Sequence, residues 1–299
     1  MSSVHDELSK ILTIEQLPAM PHSALSVLQL DNDIAKVNIN DLVRPIEADI
    51  GLATQVLKFL NSSYFGFQST ISNVKQGIAL VGIRIVKNFV LWKAVFSLIP
   101  KSKTGSFDVA MLWQDSLRRA MFSRFLLLEL KKGDPETAFA GALLQDMAIP
   151  LLLKKKPNDY AELLNRLTQS PHSRLSTLEN ETFGWNHADA GALLGKNWKL
   201  PAPLVNLVEN HLKIAEYADN FAQQPEQLIV SLSALLPSVT EPVWNERAEF
   251  NKVFQHILSE KGNLLTKIFD KVDREFEQYA TIIQITKPKK SLFNYLDEE

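Results

Sequence analysis

Residues 138–150 read AFAGALLQDMAIP, and this stretch says most about how the chain folds. Phe139, Ala142, Leu143 and Asp146 fall at i, i+3, i+4 and i+7, which is the spacing of one face of an α-helix. Three of these four side chains are apolar, so the face is expected to enter the core. It would carry Asp146 with it, and a buried carboxylate without a partner is costly. The sequence therefore predicts that Asp146 has a buried partner.

Two kinds of partner suit Asp146. One is a metal ion held jointly with histidine imidazoles. The other is a set of backbone N–H groups near Pro150, where the helix must break. Gln145, the residue before the carboxylate, offers only a neutral amide, which is a poor substitute for a histidine nitrogen as a metal ligand.

Composition excludes several classes of protein. With 299 residues and 45% hydrophobic residues, the chain can bury one large core or two smaller ones. Its 32 Lys and Arg balance 34 Asp and Glu, so no broad basic field favours nucleic acid or an anionic membrane. The absence of cysteine excludes disulfides, thiolate catalysis and iron–sulfur clusters.

The amino terminus, MSSVHDELSK, lacks the basic and apolar regions of a signal peptide. No apolar stretch approaches the roughly 20 residues that a membrane span needs. We therefore predict a cytoplasmic, soluble protein with no membrane partner.

Helical spacing dominates the chain and period-2 strand patterns are nearly absent, which predicts an all-α protein. Residues of about 14–100 form an expected amino-terminal lobe, and the polar segment KSKTGS at 101–106 an expected hinge. A second lobe covers about 107–211. Further helices are expected over 212–286, followed by a polar tail at 287–299.

Several helix starts are predicted from capping residues. Asp41 and Asp49 can each cap a helix, and Ser72 can open another. Ser176 and Glu179 have the spacing of a capping box for a short later helix.

The helices predicted between residues 72 and 98 have the outline of a helix-turn-helix. The second of them, IVKNFVLWKAVFSL at 85–98, is apolar almost all round and offers only Lys87, Asn88 and Lys93 to a groove. Base and phosphate readout needs several exposed polar and basic residues, so this helix is predicted to be interior. The run Lys154–Lys156 is typical of solvated surface, and no nucleic-acid partner is predicted.

Two histidines are predicted to point inward. His187 shares a helical face with Leu194, and His211 shares one with Leu207 and Val208. Each imidazole is either a metal ligand or a core histidine that is hydrogen-bonded to a carbonyl or to Asp146.

The aromatic residues can likewise be interpreted either as core packing or as a binding surface. NSSYFGF at 61–67 supplies three aromatic side chains, interpreted as packing anchors rather than an exposed recognition loop. Trp92, Trp113, Trp185 and Trp198 suit core packing as well as partner binding.

With these residues in view, the chain resembles the HDOD family, a bacterial signalling output domain distantly related to HD phosphohydrolases. The most specific matches are LPAMPHSALSVLQL at 17–30, IEADIGLATQVLKFLNSSYFG at 46–66 and ISNVKQGIALVGIRIVKNFVL at 71–91. Looser matches are LWQDSLRRA at 112–120, AFAGALLQDMAIPLL at 138–152 and HADAGALLGKNWKLPAPLVNLVENH at 187–211. The resemblance covers about residues 14–211 and implies a two-lobe, all-α fold, here with extra carboxyl-terminal helices.

The chain departs from this pattern at the metal motif. Catalytic HD relatives place a histidine in the helix represented here by LWQDSL, where this chain has Asp115. They also have a His-Asp pair where this chain has Gln145 and Asp146. His187 and His211 match later histidines of the wider HD group. The resemblance thus implies a degenerate pocket lined by Asp115, Gln145, Asp146, His187 and His211.

The leading hypothesis is a non-catalytic signalling or regulatory module that binds a protein partner and a small ligand in the degenerate pocket. No cofactor and no catalytic residue is assigned. The alternative is a residual metal-dependent phosphohydrolase or phosphodiesterase, in which Asp146, His187 and His211, with Asp115, would hold Mn, Fe or Zn and a metal-bound water would attack.

Overall fold

The computed structural model describes residues 2–12, 19–30, 36–99, 103–104, 107–170, 173–258, 263–283 and 285–297. The predicted all-α class is confirmed. The first helices are α1 (Ser2–Ile11), α2 (His22–Leu28), α3 (Ile39–Glu47), α4 (Ile50–Leu60), α5 (Val74–Val81) and α6 (Ile83–Leu98). Helices α2 to α6 pack against one another.

A short antiparallel pair, β1 (Lys103–Thr104) and β2 (Phe107–Asp108), joins α6 to the rest of the protein. The hinge predicted over residues 101–106 lies mostly outside the described residues. The next helices are α7 (Val109–Leu130), α8 (Pro135–Leu144), α9 (Ile149–Lys155), α10 (Pro157–Gln169), α11 (Leu175–Phe183), α12 (His187–Asn197) and α13 (Ala202–Asn210). The last are α14 (Ile214–Tyr217), α15 (Pro225–Ser233), α16 (Arg247–Ile257) and α17 (Leu264–Ile283), with 3-10 turns at Ala218–Asn220 and Phe293–Tyr295.

The structure confirms one predicted cap and corrects three. Asp49 begins α4 by accepting a hydrogen bond from the N–H of Leu52. Asp41 does not cap α3, because Asn38 does, and Asp41 completes a capping box from the third position of the helix.

The other two corrections concern α5 and α11. Helix α5 is capped by Asn73, whose side chain accepts from the N–H of Gln76, and not by Ser72. Helix α11 begins after Arg174, so Ser176 lies inside it and the predicted capping box with Glu179 is wrong. The Glu179 carboxylate instead has buried partners, which are described with the site.

Helix α6 is an interior helix, as predicted from its apolar surface. Phe89, Val90, Leu91, Trp92 and Val95 are all buried in it. The other tryptophans considered above, Trp113, Trp185 and Trp198, are buried too. Core packing therefore accounts for all four indole rings.

The segment at 61–67 packs against α17 and is linked through Arg124 of α7 to α8 and α6. Tyr64 packs edge-on against Tyr279 of α17, with ring centroids 5.2 Å apart, and its hydroxyl accepts a hydrogen bond from Arg124. Arg124 in turn forms an ion pair with Glu136, at 2.6 Å, and Asn88 of α6 donates to the same carboxylate. The interpretation as packing anchors is confirmed for Tyr64 and Phe65, which pack against the core, and is wrong for Phe67, which is exposed.

Two glycines allow the helices around the histidines to approach closely. A Cβ atom at Gly141 of α8 would lie 2.6 Å from Leu207, and one at Gly191 of α12 would lie 2.7 Å from Val208. Real Cβ atoms do not come this close to other atoms, so a larger residue would push α13 away. The glycines thus bring the end of α13, with His211, next to α12, with His187.

The expectation that no apolar stretch approaches the length of a membrane span is wrong for residues 135–155, which are long and apolar enough by composition alone. However, 89% of the apolar window in this stretch is buried inside the protein. The stretch is also divided, because α8 ends at Leu144 and α9 begins at Ile149. Core packing explains its apolar character.

Residues 292–295 pack against the body of the protein. Leu292 and Tyr295 are fully buried, and the backbone N–H groups of Leu292 and Phe293 donate to Asp273 of α17. The Tyr295 hydroxyl donates to the carbonyls of Ser238, at 3.2 Å, and Glu241. Much of the segment predicted as a polar tail is therefore anchored.

Replacing Tyr295 tests this anchoring. We expect Tyr295→Ala to lower the free energy of unfolding by about 3–4 kcal/mol, because it leaves a cavity in a buried site. Tyr295→Phe keeps the ring and removes only the hydroxyl bonds, so it should cost about 1 kcal/mol. Urea unfolding followed by circular dichroism measures both. Equal, small losses would show that the segment is not anchored through this ring.

Candidate functional site

The site centres on Asp146, which lies in the turn between α8 and α9 rather than on the helix that the spacing predicted. Its Oδ1 atom is 3.4 Å from Nε2 of His187 and 3.5 Å from Nε2 of His211. All three side chains are buried, and their ligand atoms lie within 4.8 Å of one another. The two histidines do point inward, as predicted.

The partner of Asp146 is an arginine that the sequence analysis did not consider. The Arg119 guanidinium of α7 forms an ion pair with Oδ2 of Asp146. Burial alone would raise the pKa of Asp146, but Arg119 and the imidazole of His187 together hold it well below its usual range. The pair is nearly dry, with 14% of the Arg119 side chain and 7% of the Asp146 side chain exposed.

His187 is oriented by a second carboxylate, Glu179 of α11. The Glu179 Oε2 atom accepts from both the backbone N–H of His187, at 2.9 Å, and its Nδ1, at 2.6 Å. Burial would lower the pKa of His187, but Glu179 and Asp146 outweigh burial and raise it to about 10. The imidazole therefore carries a proton on each nitrogen, and Nε2 points at Asp146 as a donor.

Glu179 has a third donor in Tyr160 of α10, whose hydroxyl lies 2.6 Å from Oε1. The carboxylate is fully buried, and its hydrogen bonds satisfy both oxygens. On the other side, Nδ1 of His211 donates to the carbonyl of Val208 at 2.7 Å. This bond orients the ring so that Nε2 of His211 faces Asp146.

Asp115 and Gln145 have partners away from this group. Asp115 accepts from the Ser238 hydroxyl, at 2.6 Å, and from the backbone N–H of Val239, at 2.8 Å. Burial raises the pKa of Asp115, and the charge of Arg119, one helical turn later, opposes that shift. Gln145 is fully buried beside Ser233, whose hydroxyl is 3.5 Å from its Oε1.

These contacts decide how well a metal ion fits the site. Asp146, His187 and His211 offer three ligand atoms, enough for one ion. An ion between Oδ1 of Asp146 and the two imidazoles would have to displace the His187 proton, since only a neutral imidazole binds metal. It would also lie beside the positive charge of Arg119, which is paired with the other oxygen of Asp146. A two-metal centre does not fit, because Asp115 and Gln145 are held elsewhere. As arranged, the charge of Asp146 is balanced by the protein itself, through Arg119 and the protonated His187.

Sequence reasoning missed Arg119, Glu179 and Tyr160. Arg119 follows Asp115 by four residues and so lies on the same face of α7, which is a usable signal once Asp115 is suspected. Glu179 was interpreted as a helix cap, although it precedes His187 by only eight residues. We see no signal in the sequence that would have selected Tyr160.

The acidic residue Glu241 lies in the loop after α15, near Arg119 and Asp115. Burial, the neighbouring Glu246 and Asp115 raise its pKa from 4.5 to about 7, while the N–H of Asn245 and Arg119 oppose that shift. The folded state therefore binds more protons than the unfolded state between about pH 4.5 and 7. Stability is lost as the pH rises through this window.

Glu241→Gln should remove this loss. Between pH 5 and pH 8 we expect the wild type to lose about 2–3 kcal/mol more stability than the variant. Chemical unfolding at four pH values measures this difference. Glu162→Gln, at an exposed position of α10, controls for the change in net charge. Parallel curves for wild type and Glu241→Gln would contradict the assignment.

Comparison with known proteins gives one family. The sequence profile of the HDOD domain matches residues 17–214. Among curated proteins, the chain is 27% identical over 209 residues to an uncharacterized protein of Treponema pallidum (strain Nichols), a match that covers 66% of this chain. It is 30% identical over 112 residues to the uncharacterized protein YuxH of Bacillus subtilis (strain 168), covering 37% of this chain. The matches span only 38% and 27% of those relatives.

Solved structures share the fold at 18% identity. An HDOD domain protein of unknown function from Geobacter sulfurreducens gives a TM-score of 0.71, over 95% of this chain and 97% of that one. A proposed phosphohydrolase from Shewanella amazonensis SB2B gives 0.69, over 90% and 96%. A proposed signal transduction protein from Marinobacter aquaeolei VT8 gives 0.67, over 95% of this chain and 65% of that one.

Proposed function

Since the chain belongs to the HDOD family, we propose that it is a non-catalytic module of bacterial signal transduction. It would act in the cytoplasm by binding a protein partner, with no bound cofactor. The Marinobacter protein of similar fold, itself proposed to act in signal transduction, is consistent with this role.

One observation carries the non-catalytic part of the proposal. The Arg119 guanidinium is paired with Oδ2 of Asp146, while two imidazoles converge on Oδ1 of the same carboxylate, so the charge that a metal would balance is already balanced. A hydrolase of this kind needs a metal to generate hydroxide from water at neutral pH. Arginine balances the charge of Asp146 equally well, but it cannot activate water in this way, since its own proton is not released.

The proposal is tested by assaying the full chain for hydrolysis. The purified protein is incubated with Mn²⁺, Fe²⁺ or Zn²⁺ and bis(p-nitrophenyl) phosphate, next to Asp146→Asn. We expect the two proteins to give the same background rate, because neither activates water. Hydrolysis by the wild type that falls in Asp146→Asn would overturn the proposal.

The binding part needs a separate measurement. We expect affinity capture from bacterial lysate, followed by mass spectrometry, to return the same specific partner for wild type and Asp146→Asn, provided that both are folded. Binding to a separate partner protein uses the surface of the module, so it does not require the buried Asp146 carboxylate. Capture of nothing above a blank resin would contradict partner binding.

A second candidate function is a residual metal-dependent phosphohydrolase. The observation in its favour is the convergence of Asp146, His187 and His211 within 4.8 Å. If it holds, plasma mass spectrometry finds about one transition metal per chain after purification without chelators, and Asp146→Ala removes it. Unchanged metal content in Asp146→Ala would end this candidate.

A further inference from the structure

A cavity of about 670 Å³ lies away from the buried histidines, between α2, α4, α6, the start of α7 and residues 285–286. This volume is typical of sites for small organic ligands. By contrast, Asp146, His187 and His211 are almost entirely buried. A small molecule therefore has room in this cavity, at a distance from the buried Asp146.

The cavity has an aromatic wall. Trp92, Phe96 and Trp113 line it, with ring centroids 4.3 Å apart for Trp92 and Phe96 and 3.6 Å apart for Phe96 and Trp113. The indole N–H of Trp92 is buried without a hydrogen-bond partner among the described residues. Such a wall favours a flat ring system, which packs well against the edges or faces of aromatic side chains.

The charges on the wall favour a cation. Among the described residues, the charged side chains that line the cavity are Asp49, Asp108 and Lys93, two carboxylates and one ammonium with a net charge of −1. The Lys93 ammonium is already engaged, 5.4 Å from the centre of the Trp92 ring. A positively charged ring gains both from the carboxylates and from the indole faces.

The same residues disfavour an anion. Three helices start at the cavity, α2, α4 and α7. Helix α2 has only seven residues, so α4 and α7 are the two whose free N-termini would attract phosphate groups. Here Asp49 caps α4 through the N–H of Leu52, and Asp108 caps α7 through the N–H of Ala110. Both N-termini are thus occupied by carboxylates of the chain itself. A nucleotide phosphate would meet negative charge where it needs donors.

We propose that this cavity binds a flat aromatic cation, such as an N-alkylated or amino-substituted heterocycle, and excludes nucleotides. The proposal is independent of the function proposed above, because it uses none of the residues around Asp146. It also links a ligand to the carboxyl-terminal segment, since residues 285–286 form part of the wall and Gln114 of α7 donates to both oxygens of Thr286.

Calorimetric titration of the full chain at pH 7.5 tests the proposal with two probes of one shape. N-methylquinolinium is a flat cation, and quinoline-2-carboxylate is its anionic counterpart. We expect the cation to bind at one site with a Kd below about 1 mM, and at least about tenfold more tightly than the anion. A cation that does not bind, or an anion that binds as tightly, would overturn the proposal.

Two variants place the binding in the cavity. Asp49→Asn/Asp108→Asn keeps both helix caps, because asparagine caps as well as aspartate, and removes the two charges. We expect it to weaken cation binding about tenfold. Ala110→Phe fills the cavity from an exposed position and should abolish binding.

Ala161→Phe is the matched control. It places the same ring on an exposed position of α10, which does not border the cavity, and should bind the cation like the wild type. Circular dichroism checks that each variant is folded. Unchanged binding in Ala110→Phe, or equal loss in Ala161→Phe, would show that the cation binds elsewhere.

Discussion

Arg119→Ala is expected to destabilise the metal-free protein by about 3–5 kcal/mol, because it leaves the buried Asp146 carboxylate without its main counter-charge. The same change removes the positive charge that is paired with Oδ2 of Asp146, next to the three candidate ligand atoms. Asp146, His187 and His211 should then bind one Zn²⁺ or Mn²⁺, and the ion should restore part of the lost stability. Unfolding with EDTA or with added metal, together with plasma mass spectrometry, measures both effects.

Two further variants show which property of Arg119 matters: one keeps its positive charge, and the other removes an arginine at an exposed position. Arg119→Lys keeps the positive charge, so it should lose less stability and bind no metal. Arg166→Ala breaks an exposed pair with Glu181 and should cost at most about 1 kcal/mol. If Arg119→Ala behaves like Arg166→Ala and gains no metal, then Arg119 does not act as the cation of the site.

Removing Glu179 should have the second large effect. Glu179→Ala leaves three donors without an acceptor in a fully buried place: the Tyr160 hydroxyl, the backbone N–H of His187 and its Nδ1. We expect a loss of about 4–5 kcal/mol in the free energy of unfolding. Glu179→Gln retains one acceptor oxygen and should cost about half as much. Urea unfolding at pH 7 gives these values.

Tyr160→Phe and Glu181→Gln complete this series. Tyr160→Phe deletes one donor and should cost about 1–2 kcal/mol. Glu181→Gln changes an exposed carboxylate two residues away and serves as the matched control, since its pair with Arg166 is exposed. A loss in Glu179→Ala no larger than in Glu181→Gln would mean that the carboxylate does not organise the site.

The fold could be predicted from sequence because the spacing of apolar residues in each helix indicates which of its faces is buried. The helical period placed His187 and His211 inward, and it placed α6 in the interior. The helical period was misleading for Asp146. The apolar spacing continues past Leu144, but α8 ends at that residue and Asp146 lies in the turn that follows. The burial of Asp146 was nevertheless predicted correctly.

The partners within the site could not be predicted in the same way. Arg119 and Asp146 are 27 positions apart, and only the packing of α7 against α8 brings them together. Glu179 has a local pattern that fits a capping box, and no local rule distinguishes a cap from a buried acceptor. The ligand-sized cavity joins residues from Pro21 to Thr286, so it exists only once the chain is folded.

The packing of residues 292–295 against α17 and the loop after α15 limits where this chain can be cut without exposing its core. The family match ends at residue 214, but α15 and α17 pack against α7, and Tyr295 holds the loop that supplies donors to Asp115. A fragment cut at the limits of the match would uncover the apolar sides of α7 and α8. The segment that matches the family profile is therefore shorter than the part of this chain that shares one core. Grafting residues 17–214 into another protein would transfer an incomplete core.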